Sequence, residues 1–466
     1  MRTFLRNPLL VTAVLTKAAI LLAVASLSQL SMAQQEFSCV GQPYMDVGER
    51  RLRALDQAVN RRLETPRYLL NPFPPEDEPD AILPEPDPVA AINELNDLRT
   101  DRLQSHERAE VYNLFAYAHY LNDDVPQSLE YYKRTIAEEG ANGPLVVRNL
   151  KTISQLNQLD DDFNEALKYF INWACVRQVN PDNQLSSRDY AELAIIYYRI
   201  DDLDQALFYT EKAIVMEEDA GNIGRENWYS MQRSIYYQKE NVPAVITVLK
   251  KLIVLYPNVK YWRELGGMFS ELEDTRSQLA AYHLAYLQNG LETEGQMKGL
   301  SYLMIAAGAP YEGANLMIEG INNGLIEESE DVMRAVGSAF YQAREMDMAL
   351  PWMERAAEAG GEGEAYGGLA GIYSSLLRYE DTIRVGNEAL RLGDLNRPDQ
   401  IKMAVGAAHA ALREYDDAVE SFRSITDSRS TRAAGDWVRY ATSEKNRDAQ
   451  IRASGIDLDA ILGQDF

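Results

Sequence analysis

The stretch Tyr256–Asp274, YPNVKYWRELGGMFSELED, is the most informative segment about the fold of this chain. Trp262, Leu265, Gly266 and Phe269 follow the i, i+3, i+4, i+7 spacing, which places them on one face of an α-helix. Glycine inside a helix costs about 1 kcal/mol relative to alanine. A helix that accepts this cost usually has another backbone packed against it, so we expect Gly266 to lie at a close helix–helix contact.

The same stripe returns along the chain at a nearly regular spacing. Further copies begin at Tyr112, Leu150, Tyr190, Tyr229, Gly299, Val336, Leu369 and Val405. The pattern resembles the tetratricopeptide (TPR) repeat, W-x2-L-G-x2-Y followed by A-x3-F and a closing proline, which Pro257 supplies for the preceding copy. The resemblance covers residues 109–430, and it implies antiparallel helix pairs that stack into a solenoid with one continuous core.

Small residues occupy the Gly266 position in most copies. The residues at this position are Ala116, Ser154, Ala194, Arg233, Gly266, Ser301, Gly337, Ala370 and Gly406. The matching position of the second helix reads Ser128, Ala166, Ala206, Val245, Gln278, Gly313, Ala349, Thr382 and Ala418. Small residues that face each other let the two helices of a repeat approach closely. Arg233 and Gln278 break this pattern, so we expect their repeats to be looser or irregular.

These patterns predict an all-α fold, a right-handed α-solenoid of about nine TPR helix-turn-helix repeats with a C-terminal capping helix. A basic amphipathic helix is expected over residues 49–66. The expected divisions are a signal peptide at 1–33, an amphipathic helical segment at 34–65, an acidic proline-rich arm at 66–90, a leading helix at 91–108, the solenoid at 109–430, and a capping helix and tail at 431–466.

The N-terminal residues and the charge predict an exported protein. Arg2, Arg6 and Lys17 precede a short apolar run, and small residues at 31–33 suit a cleavage site, as in a secretory signal peptide; an uncleaved anchor is the alternative. No later stretch reaches the roughly 18 apolar residues of a membrane span. The formal charge is −25, which repels phosphate backbones and argues against a nucleic-acid partner.

Cysteine usage offers one candidate disulfide. The chain has two cysteines, Cys39 and Cys175. In an oxidising compartment they form one bridge, or else they remain two free thiols. A bridge that closes a loop of this length stabilises the folded state by up to about 4–5 kcal/mol in the entropic description of disulfides.

The sequence contains no catalytic constellation, so we expect a protein that is not an enzyme and that needs no cofactor or metal. The four histidines are dispersed, and none belongs to an H-E-x-x-H pair. The glycine-rich residues 360–371 follow no strand, unlike a phosphate-binding loop. Acidic runs at 122–124, 160–162, 201–204 and 415–418 fall between the helices of a repeat, where an acid caps the second helix.

Function is expected on the face of each first helix that is not used for packing. This face is rich in tyrosine and basic residues although the protein is acidic, which suits capture of an extended acidic or proline-rich peptide. The alternative is a solvated face whose bases pair with neighbouring acids. The candidate groove residues are Tyr117, Tyr120, Arg148, Lys151, Arg188, Tyr198, Tyr237, Lys260, Arg263, Lys298, Tyr302, Arg334 and Tyr341.

A narrower resemblance runs from Gly224 through residue 274 and on through AYLQNGL and APYEGANLMIEGI. These segments resemble exported TPR proteins of Gram-negative bacteria whose genes accompany TonB, ExbB and ExbD. The resemblance implies a periplasmic accessory of TonB-dependent transport and supplies no catalytic residue. A scaffold for outer-membrane or cell-wall assembly is the second possibility, because residues 347–361 have a Sel1-like appearance. The chain's own acidic arm is a further candidate occupant of the groove.

Overall fold

A computed structural model describes residues 36–74, 82–179, 183–360 and 362–455. The predicted signal peptide at 1–33 lies outside these residues, as does part of the acidic arm. Within the described residues all regular structure is helical and no strand is present, which confirms the all-α prediction. No helix among them is long and apolar enough to cross a membrane. The chain divides into two compact bodies, an N-terminal body, Met1–Tyr256, and a C-terminal body, Pro257–Phe466.

The N-terminal body contains a leading helix pair and four repeats. Its α-helices are α1 Gln57–Leu70, α2 Pro88–Asn96, α3 Ser105–Leu121, α4 Val125–Ala137, α5 Gly143–Leu159, α6 Phe163–Gln178, α7 Ser187–Arg199, α8 Leu203–Asp219, α9 Glu226–Gln238 and α10 Val242–Leu255. From α3 onward, each odd-numbered helix packs against the even-numbered helix that follows it. These pairs are repeats 1 to 4.

The C-terminal body continues the same pairing through repeats 5 to 9 and ends on one long helix. Its α-helices are α11 Val259–Glu271, α12 Thr275–Tyr286, α13 Glu294–Ala306, α14 Pro310–Asn322, α15 Glu330–Gln342, α16 Met346–Gly360, α17 Gly363–Ser375, α18 Tyr379–Leu392, α19 Pro398–Ala411, α20 Tyr415–Arg423 and α21 Thr431–Ala453. The last helix, α21, packs on α20, in the place expected of a capping helix.

The acidic runs between paired helices are caps, as the sequence predicts. In repeat 1, Asp123 has a positive φ of 56°, and the carboxylate of Asp124 accepts a hydrogen bond from the backbone N–H of Gln127. Asp162 and Asp202 cap α6 and α8 in the same way. The run at 415–418 differs, because Asp416 and Asp417 lie in the first turn of α20 and make no cap hydrogen bond.

Gly266 lies at a close contact, but its neighbour is a side chain and not a backbone. A Cβ on Gly266 would stand 2.9 Å from Cε2 of Tyr282, a ring on α12. In repeat 7 backbone also comes close, because a Cβ on Gly337 would stand 3.2 Å from the amide nitrogen of Met353 and 3.3 Å from the carbonyl oxygen of Ala349, with Cε of Met353 at 3.2 Å as well. The expectation of a close backbone at Gly266 is therefore wrong, since the aromatic ring of helix α12 uses the space instead.

Helices α9 and α12, which contain Arg233 and Gln278, bury few side chains. Helix α12 buries only Ala281 and Ala285, and α9 buries three residues, whereas α7 in repeat 3 buries seven. Gln278 therefore coincides with the repeat helix that buries the fewest residues. Arg233 does not stand out in the same way, because α11 and α13 bury three residues each, as many as α9.

The N-terminal region differs from the expected basic helix over 49–66. Residues 36–56, named here the strap, are mostly irregular, and α1 begins only after Asp56, whose carboxylate accepts a hydrogen bond from the backbone of Ala58. Helix α1 then continues through Pro66 to Leu70, both buried, so the arm begins after α1 and not at residue 66. The leading helix expected over 91–108 is shorter, because α2 ends at Asn96.

The strap crosses repeats 3, 2 and 1 in that order. Its first anchor is Phe37, whose backbone N–H donates to the hydroxyl of Tyr209 on α8. Cys39 is then bonded to Cys175 of α6, with the two Cα atoms 5.4 Å apart. Val47 is only 2% exposed. Further along, the carbonyl of Arg50 accepts from Gly143 of α5, and the N–H of Asp56 donates to Glu107 of α3.

Candidate functional site

The N-terminal body has a cavity between the first helices of repeats 1 and 2. It is lined by Asn113, Leu114, Tyr117, Tyr120, Tyr132, Arg148, Asn149, Thr152, Gln155, Leu156, Gln158, Leu159 and Glu192. Three of the predicted groove residues, Tyr117, Tyr120 and Arg148, meet here. The rings of Tyr117 and Tyr120 are stacked at a centroid distance of 6.5 Å and both are exposed. We name this cavity the tyrosine groove.

Asn149 is the most unusual residue of the tyrosine groove. Its side chain is 1% exposed, yet neither its amide oxygen nor its amide nitrogen has a hydrogen-bond partner among the described residues. A buried polar group without a partner costs about 1–3 kcal/mol. A primary amide offers one acceptor and two donors, which match the N–H and C=O of a peptide unit. Asn149 therefore adds an unsatisfied amide to the lining of the groove.

Tyr132 and Arg148 set the electrostatics of the tyrosine groove. Burial raises the pKa of Tyr132 to about 12, while the positive charge of Arg148 acts in the opposite direction. The hydroxyl of Tyr132 therefore stays protonated near neutral pH and can donate a hydrogen bond. The guanidinium of Arg148 is exposed and makes no ion pair with any described residue. Arg148 thus lies beside neutral hydroxyl and amide groups, and the acid in the lining, Glu192, is paired with Lys151. This arrangement favours a carboxylate ligand.

Most other predicted groove bases have internal acidic partners. Lys151 lies 2.9 Å from Glu192, and its Nζ sits 3.9 Å above the ring of Trp173. In the C-terminal body, Arg263 donates to the carbonyl of Gly290 and pairs with Glu292 at 3.0 Å. Lys298 pairs with Glu294, and Arg334 with Glu330. For these four bases the structure agrees with the second hypothesis of the sequence analysis, in which the bases pair with neighbouring acids and not with a peptide.

A second cavity lies in the C-terminal body above the glycine-rich helix α17. Its lining residues are Ser338, Tyr341, Met353, Glu364, Gly367, Gly368, Ala370, Gly371, Ser374, Ser375, Asn396, Arg397, Gln400, Ile401 and Ala404. Tyr341, a predicted groove residue, contributes its hydroxyl, which lies 3.3 Å from the hydroxyl of Ser375. The lining is mainly hydroxyl, amide and glycine backbone, with one acid, Glu364, and one base, Arg397, so it presents hydrogen-bonding groups without an excess of either charge.

The remaining predicted residues line neither cavity. Arg188 is exposed near the start of α7, and Tyr198 accepts a hydrogen bond from Gln238. Tyr237 and Tyr302 are exposed on α9 and α13. The ammonium group of Lys260 lies 4.7 Å from the ring centre of Tyr261.

Sequence reasoning missed Asn149, Tyr132 and Arg397. A signal for Asn149 is present, because it falls on the same helical face as Val146, Leu150 and Ile153, which predicts burial. A single amide in an apolar stripe marks a buried polar group that needs a partner. Tyr132 lies on the second helix of its repeat, whereas the predicted groove residues all belong to first helices.

One group of side chains has the composition of a metal site. The ligand atoms of His409, Glu414 and Asp417 lie within 4.8 Å of one another. Both carboxylates are exposed, and Nδ1 of His409 is already 2.6 Å from Glu414. His119 and Asp124 form the same kind of contact in repeat 1. The recurrence favours a histidine that braces the turn between paired helices, and we assign no metal to it.

No protein-family model and no curated protein matches this chain. Solved structures with similar helix pairs include a tetratricopeptide repeat protein from Parabacteroides merdae ATCC 43184, at 13% identity, 55% of this chain, 94% of that chain and a TM-score of 0.32. YrrB, a TPR protein with an unusual peptide-binding site, has 15% identity, 38% and 89% coverage and a TM-score of 0.31. The APC/C hetero-tetramer Cut9–Hcn1 has 13% identity, 76% and 80% coverage and a TM-score of 0.30. Scores this low support no inference about function.

Proposed function

We propose that this chain is a non-enzymatic scaffold that binds partner proteins through the tyrosine groove. The observation that carries the proposal is Asn149, a buried amide that lines the groove and has no partner among the described residues. An extended polypeptide satisfies this amide with its backbone, stacks on exposed tyrosines and presents carboxylates to Arg148. Acidic or proline-rich segments fit this chemistry best.

The proposed compartment is the periplasm of a Gram-negative bacterium. Two observations support export: the signal-peptide pattern at residues 1–33 and the disulfide between Cys39 and Cys175, which is typical of oxidising compartments. The proposed system is TonB-dependent transport, with a TonB, ExbB and ExbD complex as partner. This part rests on the sequence resemblance at Gly224–Asp274 and beyond. TonB carries a proline-rich periplasmic spacer, which agrees with the ligand class proposed for the groove.

The alternative is a scaffold for outer-membrane or cell-wall assembly. The Sel1-like residues 347–361 favour it, and they fall mostly on α16, against which Gly337 of α15 packs. The two proposals share the groove and differ in the partner. Identification of the partner therefore decides between them.

The test is an in-cell crosslink and pull-down of the tagged chain from envelope extract, read by mass spectrometry. Arg263 and Lys298 are held in internal ion pairs, so substitutions at these two residues would not test the groove. An Arg148→Glu/Asn149→Leu double variant alters the tyrosine groove itself. Arg61→Glu is the matched control, since Arg61 is an exposed base of α1 in the same body.

Enrichment of TonB, ExbB or ExbD, lost in the double variant and kept in Arg61→Glu, is the expected result. Wall or outer-membrane assembly proteins in their place would favour the alternative. Partners that remain bound to the double variant would show that the tyrosine groove is not the binding site, whichever proteins they are.

A further inference from the structure

The strap forms one wall of a second cavity in the N-terminal body. Met45, Val47, Gly48 and Arg50 of the strap face helices α5 and α6 across it. The other lining residues are Gly143, Pro144, Val147, Arg148, Lys151, Thr152, Gln155, Trp173, Val176, Arg177, Val179 and Asn183. We name it the strap pocket. Because Arg148, Thr152 and Gln155 also line the tyrosine groove, the two cavities adjoin along α5.

Positive charge is concentrated in the strap pocket. Arg50, Arg148, Lys151 and Arg177 line it, and no described aspartate or glutamate does. This contrasts with the whole chain, in which 71 acidic residues outnumber 46 basic ones. Clefts lined by one sign of charge concentrate ligands of the opposite sign.

Two of the three arginines of the strap pocket have no acidic partner among the described residues. Arg148 and Arg177 form no ion pair with described residues, and Nε of Arg177 is buried without an acceptor among them. Arg50 pairs with Asp46, an exposed acid, at 3.2 Å, while its Nη1 is also buried without an acceptor. Lys151 is different, because Asp189 and Glu192 balance its charge. Three guanidinium groups therefore retain donors for an outside anion.

Apolar residues also line the strap pocket. Met45 and Val47 of the strap face Val147, Trp173 and Val176 of the helices. Two cations already lie over the ring of Trp173: Nζ of Lys151 is 3.9 Å from the ring centre, and Cζ of Arg177 is 5.4 Å from it. A ligand that fills this space needs an anionic group next to an apolar one.

We propose that the strap pocket binds an acidic residue flanked by apolar residues in a partner polypeptide. The carboxylate meets the guanidinium groups of Arg50, Arg148 and Arg177, and the neighbouring apolar side chain packs against Met45 and Val179, the exposed apolar residues of the lining. A polypeptide that follows the tyrosine groove reaches the pocket past Arg148, which the two cavities share. The proposal rests on the proposed scaffold function only in taking a polypeptide as ligand.

The test is fluorescence anisotropy with the full chain and a labelled peptide of alternating Glu and Leu. A peptide of alternating Gln and Leu has the same apolar content without the charge, and it is expected to bind at least about tenfold more weakly. Vesicles that contain phosphatidylglycerol serve as a competing anionic surface. Displacement of the peptide by vesicles, with the arginines needed for vesicle binding, would assign the pocket to lipid and overturn the proposal.

Two sets of variants separate the pocket from the groove. Arg177→Gln removes a guanidinium that lines the strap pocket alone, and it is expected to weaken binding about tenfold. Met45→Glu adds a negative charge on an exposed strap residue without disturbing the core, so it is expected to bind about tenfold more weakly than Met45→Gln. Arg61→Gln is the control for a base removed elsewhere in the same body.

Equal affinities of Met45→Glu and Met45→Gln for the Glu–Leu peptide would overturn the proposal, even if Arg177→Gln proves unstable. Asn149→Leu keeps the strap pocket intact and alters only the groove. Loss of binding in Asn149→Leu together with normal binding in the pocket variants would therefore support the proposed function and reject the pocket. Normal binding in Asn149→Leu together with weakened binding in the pocket variants would support the pocket and reject the tyrosine groove.

Discussion

The two bodies use the same helix pair but expose different chemistry on it. In the N-terminal body, Arg148 and Asn149 of α5 have no partners among the described residues, and the strap builds a second basic cavity beside them. In the C-terminal body, Arg263 and Lys298 are paired with acids, and the cavity above α17 is lined by hydroxyls and glycine backbone. A repeat with uniform packing therefore does not imply a uniform binding face.

The difference has a physical origin in where the acids fall. An acid one turn from a base, as Glu294 is from Lys298, forms an i,i+4 pair on the same helix. Helix α5 contains no aspartate or glutamate, so no acid of its own helix reaches Arg148. Local composition thus decides which bases stay available to a partner.

The largest effect is expected from the disulfide, a link present only in the N-terminal body. Cys39→Ser/Cys175→Ser should lower the free energy of unfolding of that body by up to about 4–5 kcal/mol, because the bridge closes a long loop. Hydrogen exchange read by mass spectrometry measures the protection of each body separately. The C-terminal body is the internal control, and equal loss of protection in both bodies would contradict the prediction.

The second prediction compares two bases three residues apart on α5. Lys151→Gln should destabilise the chain by about 2 kcal/mol. The Lys151 side chain is only 17% exposed, and its removal leaves Asp189 and Glu192 without their cationic partner. Arg148→Gln changes the net charge equally but should shift the stability by no more than about 0.5 kcal/mol.

Urea unfolding of both variants measures this difference. A similar cost for the two substitutions would mean that Arg148 has a structural role, and it would weaken the case that this guanidinium is kept for a partner. A negligible cost for Lys151→Gln would return Lys151 to the set of candidate binding residues.

The third prediction uses adjacent glycines of α11 in the C-terminal body. A Cβ on Gly266 meets the Tyr282 ring at 2.9 Å, so Gly266→Ala should lower the stability by about 1 kcal/mol despite the better helix propensity of alanine. At Gly267 the nearest atom is the Tyr282 hydroxyl at 4.0 Å, so Gly267→Ala should raise the stability by about 0.5–1 kcal/mol. Thermal unfolding of the two variants checks the opposite signs, and stabilisation by both would show that the ring moves freely.

Much of the fold could be predicted because the same i, i+3, i+4, i+7 spacing occurs in nine copies along the chain. The helix pairs from α3 to α20, the caps at Asp124, Asp162 and Asp202, and the weakly buried α12 all follow from periodicity and turn chemistry. The strap could not be predicted in this way. Its anchors, Phe37, Cys39 and Val47, share no period, and each depends on a different distant helix.

The candidate site was harder to predict than the fold for a related reason. Tyr117, Tyr120 and Arg148 were identified because exposed tyrosine and arginine on first helices stand out by composition. Whether a base is available depends on acids brought near by folding, as Asp189 and Glu192 of α7 are to Lys151 of α5. Such contacts between repeats are set by helix packing, which the stripe predicts only in outline.

A small effect on stability and the largest effect on binding are expected from the same substitution, Asn149→Leu. Leucine has the same branching and the same number of side-chain heavy atoms as asparagine, and it removes two buried polar atoms without partners, so the stability should stay the same or rise by up to about 1 kcal/mol. Partner binding should be lost, because the amide that matches a peptide backbone is gone. Thermal unfolding and the crosslink pull-down measure the two effects on one variant. Replacing a residue that serves packing lowers the stability of the folded chain, whereas replacing a residue that serves a ligand lowers only the affinity for that ligand. Destabilisation with normal binding would therefore identify Asn149 as a structural residue and remove the central observation for the tyrosine groove.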